Sequence, residues 1–174
     1  IIDNKYSKSI LNHVKLIKIL KGGFIMFAPK HILVPTDFSK YSDAALKRAV
    51  EMAEQHGSKI YLLHVIAEHI QQCAADYCLS TEMVKQLEKG SLKAAKDKLK
   101  KEADAIVKSK KISVVFDVKT GNPAEVILSE QKAKKIDLIV IASHGKTGIL
   151  KQLMGSVSSK VLKGAKCSVM LIKP

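Results

Sequence analysis

Short apolar runs alternate along the chain with longer stretches in which apolar positions recur at helical spacing. Each run is almost continuously apolar, as expected for a strand buried on both faces of a parallel sheet. Helices that alternate with such strands cover both faces of the sheet. The pattern therefore predicts a single-domain α/β fold with an open, doubly wound parallel sheet. Its five strands are predicted at His31 to Thr36, Lys59 to Val65, Ser113 to Val118, Asp137 to Ala142 and Ser168 to Ile172.

Residues that suit helix ends follow several of these strands. Serine and asparagine cap helix N-termini by accepting amide hydrogen bonds, proline suits the first helical position, and glycine ends helices. The residues in these places are Ser39 or Ser42 and Gly57 for the first helix, Asn122 and Pro123 for the third, and Ser156 and Gly164 for the fourth.

The second helix is predicted to be long and rich in lysine, from about Thr81 to Lys108. One stripe of this helix is basic and another is apolar, which favours a solvated face opposite a core face over a nucleic-acid or membrane surface. The basic stripe consists of Lys85, Lys89, Lys93, Lys96 and Lys100, and the apolar stripe of Leu92, Ala95, Leu99 and Ile106.

The composition argues against nucleic acid as a partner, despite a formal net charge of +14. All but one of the 30 basic residues are lysines, the exception being Arg48. Arginine is the preferred reader of phosphates and bases, because its planar guanidinium bonds bidentately. Aromatic residues make up only 5% of the chain, so platforms for stacking bases are also scarce.

Cysteine usage and hydropathy indicate the cytoplasm. The spacing of Cys73, Cys78 and Cys167 matches no disulfide framework, which is typical of a reducing compartment. No apolar run approaches the ~20 residues that a membrane span needs, so stable membrane insertion is not expected.

The N-terminal residues 1–29 differ from the domain predicted at residues 30–174. Lysines interrupt the apolar positions of "SKSILNHVKLIKILKGG", which makes this stretch a poor signal peptide. It could form an amphipathic helix on a membrane surface. Alternatively, translation starts at Met26 and the preceding residues are a leader without function, which we favour because the fold begins directly afterwards.

Polar and small residues follow the first and fourth predicted strands, and "SHGKTG" after the fourth resembles a phosphate-binding P-loop. The P-loop needs a further glycine five residues before Gly145, and Val140 stands there inside a strand, so this interpretation fails. Ligands of open parallel sheets collect at strand carboxyl ends where the winding order reverses. If the two strands are neighbours, Pro35, Thr36 and Asp37 face the "ASHGKTG" loop across one crevice.

The residues after the fourth strand suit a phosphate site of another kind. Small residues at Ala142 and Gly145 let backbone amides approach an anion closely. Nine residues after Gly145, Gly155 and Ser156 begin a helix whose amides and dipole favour phosphate oxygens. Lys146 could meet phosphate charge or remain in solvent.

The motifs "HILVPTDFS", "LLHV" and "DLIVIASHGKTG…LMGSVSSKVL…CSVMLIK" resemble the universal stress protein family over nearly all of residues 30–174. ATP-binding members of this family carry Gly, two residues, Gly, nine residues and Gly-Ser/Thr, and Ala142 replaces the first glycine here. The resemblance implies strand order 3-2-1-4-5, ATP with Mg²⁺ (or Mn²⁺), and a homodimer formed through Ser168 to Ile172.

The resemblance also implies which residues contact the nucleotide. The adenine and ribose would lie against Pro35, Thr36, Asp37 and Val65. The ribose and phosphates would be wrapped by Ala142, Ser143, His144, Gly145, Lys146, Thr147 and Gly148. The phosphate tail would be held by Gly155, Ser156, Val157 and Ser158.

Several alternatives compete with this interpretation. His144 could be a general base, although no nucleophile or paired carboxylate stands beside it in the motif. His64, His69, Cys73 and Cys78 could bind zinc, but their spacing fits no familiar site. We expect His31 and Cys167 to be packing residues, and we expect no dedicated enzyme activity.

Two other functions remain open for the fold as a whole. One is a family member that binds no nucleotide and acts as a protein-interaction module, which Ala142 favours. The other is an ATP-consuming synthetase, which expects a serine- and glycine-rich loop after the first strand, where this chain has "TDFSKYSD".

Overall fold

The computed structural model describes residues 27–67, 80–145 and 154–173. Its centre is a parallel sheet in the order β3-β2-β1-β4-β5, as predicted. The five strands are β1 (His31–Thr36), β2 (Lys59–Ile66), β3 (Ser113–Thr120), β4 (Leu138–Ala142) and β5 (Ser168–Ile172).

Four helices alternate with the strands in the described ranges, and most of them begin as the sequence predicts. Their bounds are α1 (Lys40–His56), α2 (Thr81–Ser109), α3 (Pro123–Ala133) and α4 (Ser156–Gly164). Ser39 caps α1 in a capping box with Ser42, and Asn122 caps α3 through the amides of Ala124 and Glu125. Gly57 ends α1 in the left-handed conformation, with φ of 66°.

The predicted cap of α4 was wrong by one residue. Gly155 is the N-cap and Ser156 is the first helical residue, and no side chain caps this helix. The φ of Gly155 is −69°, so the position does not need the positive-φ freedom of glycine. Close packing against Ser143 accounts for the glycine instead.

The helices cover the two faces of the sheet in pairs. On one face, α1 and α2 pack on the even-numbered residues of the inner strands, Ile32 and Val34 in β1 and Leu138 and Val140 in β4. On the other face, α3 and α4 pack on the odd-numbered residues, such as Leu33. Alternation along the strands thus divides one apolar sequence run between two cores.

The long helix α2 confirms the predicted separation of stripes. Ala95 and Leu99 are buried in the core beneath it, and Leu92 packs against that core. Each lysine of the predicted basic stripe is exposed. Within the ranges described, no helix combines the length and apolar character that a membrane crossing requires.

His31 and Cys167 lie among apolar and aromatic neighbours, as expected. The His31 ring meets the edge of Tyr61, with centroids 5.7 Å apart. Cys167 packs against the core under α3 and α4, and burial raises the pKa of its thiol to about 11. The thiol is therefore neutral near pH 7 and behaves as a small apolar group.

The pairing of β1 with β4 is short, and it lies where the winding order of the sheet reverses. All six residues of β1 pair with β2, but only Ile32 and Leu33 pair with β4. The amide and carbonyl of His31 both face the β4 side, where they bond the Asp137 side chain and amide. By alternation Pro35 faces the same side, and it has no amide proton to donate. The ladder between β1 and β4 therefore ends before Pro35.

Candidate functional site

The carboxyl end of β1 leads into a tight loop held by its own side chains. Thr36 is buried, and its hydroxyl accepts from the Phe38 amide at 3.0 Å and donates to the Ser42 hydroxyl at 3.1 Å. Asp37 is half-buried, and its Oδ1 accepts from the Ser39 amide at 3.0 Å. These hydrogen bonds satisfy backbone amides just before α1 and hold Asp37 at the edge of the sheet.

The carboxyl end of β4 is fixed to β5 and to α4. The Ser143 amide donates to the Ile172 carbonyl at 2.8 Å. The Ser143 carbonyl accepts from the Gly155 amide at 2.7 Å and from the Ser158 hydroxyl at 3.0 Å. A Cβ added to Gly155 would lie 3.3 Å from the Ser143 oxygen, so a side chain here would crowd the strand end.

These two strand ends meet at one edge of the sheet, which confirms the predicted adjacency of β1 and β4. A Cβ added to Gly145 would lie 2.7 Å from Oδ2 of Asp37. The loop after β1 and the loop after β4 are therefore in contact through a carboxylate and a bare glycine backbone. Glycine at this position is what permits the close approach.

The N-terminus of α4 points backbone amide donors at the same region. The first turn of a helix has amides without intrahelical partners, and this helix carries neither a side-chain cap nor an acidic residue in that turn. Ser156 is exposed there, whereas Ser158 is buried and its hydroxyl is bonded to the Ser143 and Gly155 carbonyls. The arrangement can bind an anion through amides and helix dipole.

The remaining predicted site residues fall into different environments. Val65 packs against the core beneath α3 and α4, and half-buried Pro35 lies beside Leu63 of β2. Ala142 is buried within β4. Val157 packs against the same core as Val65. Lys146, Thr147 and Gly148 lie outside the described residues.

His144 has a polar neighbour that the sequence analysis overlooked. Its Nδ1 lies 2.9 Å from the Ser143 hydroxyl, so a potential nucleophile does stand beside it. Ser143 is completely buried, however, and a substrate cannot reach its hydroxyl. The buried Ser143 hydroxyl is therefore a hydrogen-bond partner of the His144 ring and does not have the exposure of a nucleophile.

The described residues contain no cluster of three or more histidine, cysteine or carboxylate side chains that could hold a metal ion. Three of the four residues weighed as zinc ligands, namely His69, Cys73 and Cys78, lie outside the described residues. The fourth, His64, bonds the Thr36 carbonyl through Nδ1 at 2.8 Å. The potential ligand groups that the structure describes at the crevice are backbone amides, hydroxyls, the Asp37 carboxylate and the His144 imidazole.

Sequence reasoning missed His64 and Phe38 as parts of this site. The Phe38 ring contacts the His64 ring at a centroid distance of 4.3 Å, and Lys98 Nζ lies 4.3 Å from the Phe38 centroid. The only available signal was the position of His64 near the end of a strand beside Thr36. The positive φ of Phe38, 61°, has no signature in its residue type.

Comparison with known proteins agrees with this architecture. Residues 29–173 match the universal stress protein family. The chain is 31% identical over 170 residues to the universal stress protein MJ0531 of Methanocaldococcus jannaschii, with 94% of this chain and 92% of the relative covered.

Two solved structures share the fold. That of protein MJ0577 of the same organism has a TM-score of 0.74 at 29% identity, covering 85% of this chain and 98% of the other. A universal stress protein in complex with cAMP has a TM-score of 0.58 at 20% identity, covering 84% of this chain and 98% of the other. Together with the fold and its motifs, these similarities show that the chain belongs to the universal stress protein family.

Proposed function

We propose that this chain is an ATP-binding regulator or sensor of the stress response, with at most slow ATP hydrolysis. The observation that carries the proposal is the meeting of two strand ends at the β1–β4 boundary, where Asp37 lies against Gly145. Ligands of open α/β sheets bind at this boundary. A family member with this fold has been solved in complex with cAMP, which is also an adenine nucleotide.

The proposed contacts divide between the two loops. The first loop and the end of β2 would receive the adenine and ribose, through Pro35, Thr36, Asp37 and the Val65 backbone. The residues after β4 would receive the ribose and phosphates, because the uncapped first turn of α4 offers amides and a positive dipole end. Ser158 supports this turn by donating to the Ser143 carbonyl, and the exposed Ser156 would add its hydroxyl to the phosphate contacts.

Mg²⁺ (or Mn²⁺) would enter with the triphosphate. Magnesium in nucleotide sites is bound mainly by phosphates, waters and one or two carboxylates. The Asp37 carboxylate fits that arrangement, because its Oδ2 lies beside Gly145, one of the residues proposed to wrap the ribose and phosphates. When bound, the ion would neutralise part of the phosphate charge.

ATP would act on partners through the segment between Ser143 and Met154. Both ends of this segment border the proposed phosphate site, because the Ser143 carbonyl bonds the Gly155 amide. A ligand held by these residues would change the surface that the segment presents, and so shift the balance between partner-binding states.

Titration calorimetry with ATP and magnesium tests the proposal, with Gly155→Val as the disruptive variant. The Gly155 backbone conformation suits valine, so the expected loss of at least about tenfold in affinity comes from crowding of the Ser143 carbonyl. Gly90→Val is the matched control, since a Cβ at Gly90 meets nothing within 4 Å. Absence of heat at millimolar ATP, or equal affinity in both variants, would contradict the proposal.

The environments of three predicted site residues favour the second candidate, a protein-interaction module that binds no nucleotide. The Asp37 carboxylate and the Ser158 hydroxyl are both engaged by protein groups, and Ala142 is buried. Mass spectrometry of the supernatant after denaturing freshly purified protein distinguishes the two. Copurified ATP or ADP supports the ATP-binding function, and its absence together with a silent titration supports the module.

Homodimerisation through β5 is part of the proposal. β5 lies at the edge of the sheet, and Val169, Met170, Leu171 and Ile172 are only partly buried there. An apolar strand edge of this kind is a template for pairing with another strand. We expect a cytoplasmic dimer, and Met170→Lys should convert it to a monomer in light scattering; an unchanged mass would exclude β5 as the interface.

A further inference from the structure

The loop between β1 and α1 contains a residue in an uncommon backbone conformation. Phe38 has φ of 61°, in the left-handed region that bulky side chains rarely adopt. Such a conformation persists only where the surrounding contacts determine it. Phe38 follows Asp37 directly, so whatever holds Phe38 also sets the direction of Asp37.

Two side chains from other elements hold the Phe38 ring. The His64 ring of β2 lies at a centroid distance of 4.3 Å with an interplanar angle of 36°. The ammonium group of Lys98, on α2, lies 4.3 Å from the Phe38 centroid, within the range of a cation–π interaction. The loop after β1 is therefore anchored to both β2 and α2.

His64 also holds the residue on the other side of Asp37. Its Nδ1 lies 2.8 Å from the Thr36 carbonyl oxygen. Because a carbonyl can only accept a hydrogen bond, Nδ1 is the protonated nitrogen. One imidazole thus contacts Thr36 before Asp37 and Phe38 after it.

We infer that His64 is a positioning residue of the nucleotide site, acting through Thr36 and Phe38 to aim the Asp37 carboxylate at Gly145. The inference rests on the proposed function for its consequence in binding. Its structural part stands on the Thr36 hydrogen bond, the ring contact and the close approach of Asp37 to Gly145. Lys98 supports the same arrangement from α2.

Two substitutions separate the hydrogen bond from the ring contact. His64→Phe keeps a ring against Phe38 and loses the donor, whereas the amide nitrogen of His64→Asn can replace Nδ1 as donor. We expect His64→Phe to shift the amide resonances of Asp37, Ser39 and Gly145 and to weaken ATP binding about tenfold. His64→Asn should recover part of the resonance shifts and part of the affinity, because it keeps a donor for the Thr36 carbonyl but loses the ring contact with Phe38.

The amide resonances test the positioning of Asp37, and the titration tests ATP binding, so one hypothesis can fail while the other holds. If the wild-type protein binds no ATP, the proposed function falls, and the amide spectra still decide whether His64 positions Asp37. Unchanged Asp37 and Gly145 resonances in His64→Phe would overturn the inference, because that variant has no donor for the Thr36 carbonyl.

A second pair of variants covers the case in which His64→Phe does not fold. Lys98→Met removes the charge at the Phe38 ring, and Lys96→Met removes an exposed charge from the same helix. We expect the Phe38 and Asp37 resonances to shift in Lys98→Met only. An equal response of those resonances to both substitutions would show that the contacts of the Phe38 ring do not position Asp37.

Discussion

At the scale of single residues, two positions of the site favour glycine because a side chain would meet close neighbours there, and not because the backbone has a positive φ. The obstacle at Gly145 is the end of the Asp37 side chain, 2.7 Å from a built Cβ, and the obstacle at Gly155 is the backbone oxygen of Ser143 at 3.3 Å. A side-chain terminus can rotate away, whereas a strand backbone moves only with its neighbours. Alanine at Gly145 should therefore alter the site with little effect on folding.

Gly145→Ala should turn the Asp37 carboxylate away and lower ATP affinity about fivefold, or ~1 kcal/mol, with little change in melting temperature. Gly90→Ala is the control, because it adds the same methyl group in open space on α2. That control should raise the melting temperature, since alanine favours a helix over glycine by about 1 kcal/mol. An unaltered ATP affinity in Gly145→Ala would show that Asp37 does not contact the nucleotide.

At the scale of elements, the crevice depends on two parallel neighbours that stop pairing. β1 and β4 share two register pairs, while β4 and β5 share five and remain bonded beyond them through Ser143 and Ile172. Proline in an inner strand removes a ladder hydrogen bond. In β1 that loss falls on the side of β4, where the site requires an opening.

Pro35→Val tests this account of the opening. Valine restores an amide proton facing β4, so we expect pairing to extend, the new amide to exchange slowly with solvent, and ATP binding to weaken. Hydrogen exchange measured by NMR gives the answer, with Leu33, whose amide faces the same side, as the protected reference. Rapid exchange of the amide introduced by this substitution would mean that proline does not end the ladder.

The elements were predictable because their signals are local, and the errors occurred where a contact from elsewhere decides the boundary. β1 and β5 have their predicted bounds. β4 begins at Leu138 instead of Asp137, because the Asp137 carboxylate accepts from the Lys30 and His31 amides. β3 extends to Thr120 because its ladder with β2 continues through polar edge positions.

The site was predictable only in part, for a related reason. Strand order and glycine spacing placed Asp37 and Gly145 at one edge, which the sheet topology confirms. The contacts of His64 with Thr36 and Phe38 join positions far apart in sequence, and no periodicity announces them. The nucleotide contacts themselves remain predictions.

At the scale of the whole molecule, the face formed by α1 and α2 contains an unfavourable charge. Glu102 of α2 has one carboxylate oxygen, Oε2, that is buried without a hydrogen-bond partner among the described residues. Burial and then the nearby Asp43 of α1 raise the pKa of Glu102 above its ordinary value of 4.5, and Lys98 lowers it by less. The Glu102 carboxyl group therefore binds its proton more tightly in the folded protein than in the unfolded chain.

Because the pKa is higher in the folded state, the free energy of unfolding falls as pH rises from about 4.5 through the folded pKa. Glu102→Gln removes the charge and should stabilise the protein at pH 7 by about 0.5 kcal/mol, because solvent screens part of the charge of this partly exposed group. The gain should vanish near pH 4, where Glu102 is protonated.

Urea denaturation at both pH values measures this gain in stability, with the exposed Glu88→Gln on the same helix as control. A gain that is equal at the two pH values, or absent at pH 7, would show that charge burial at Glu102 does not limit stability.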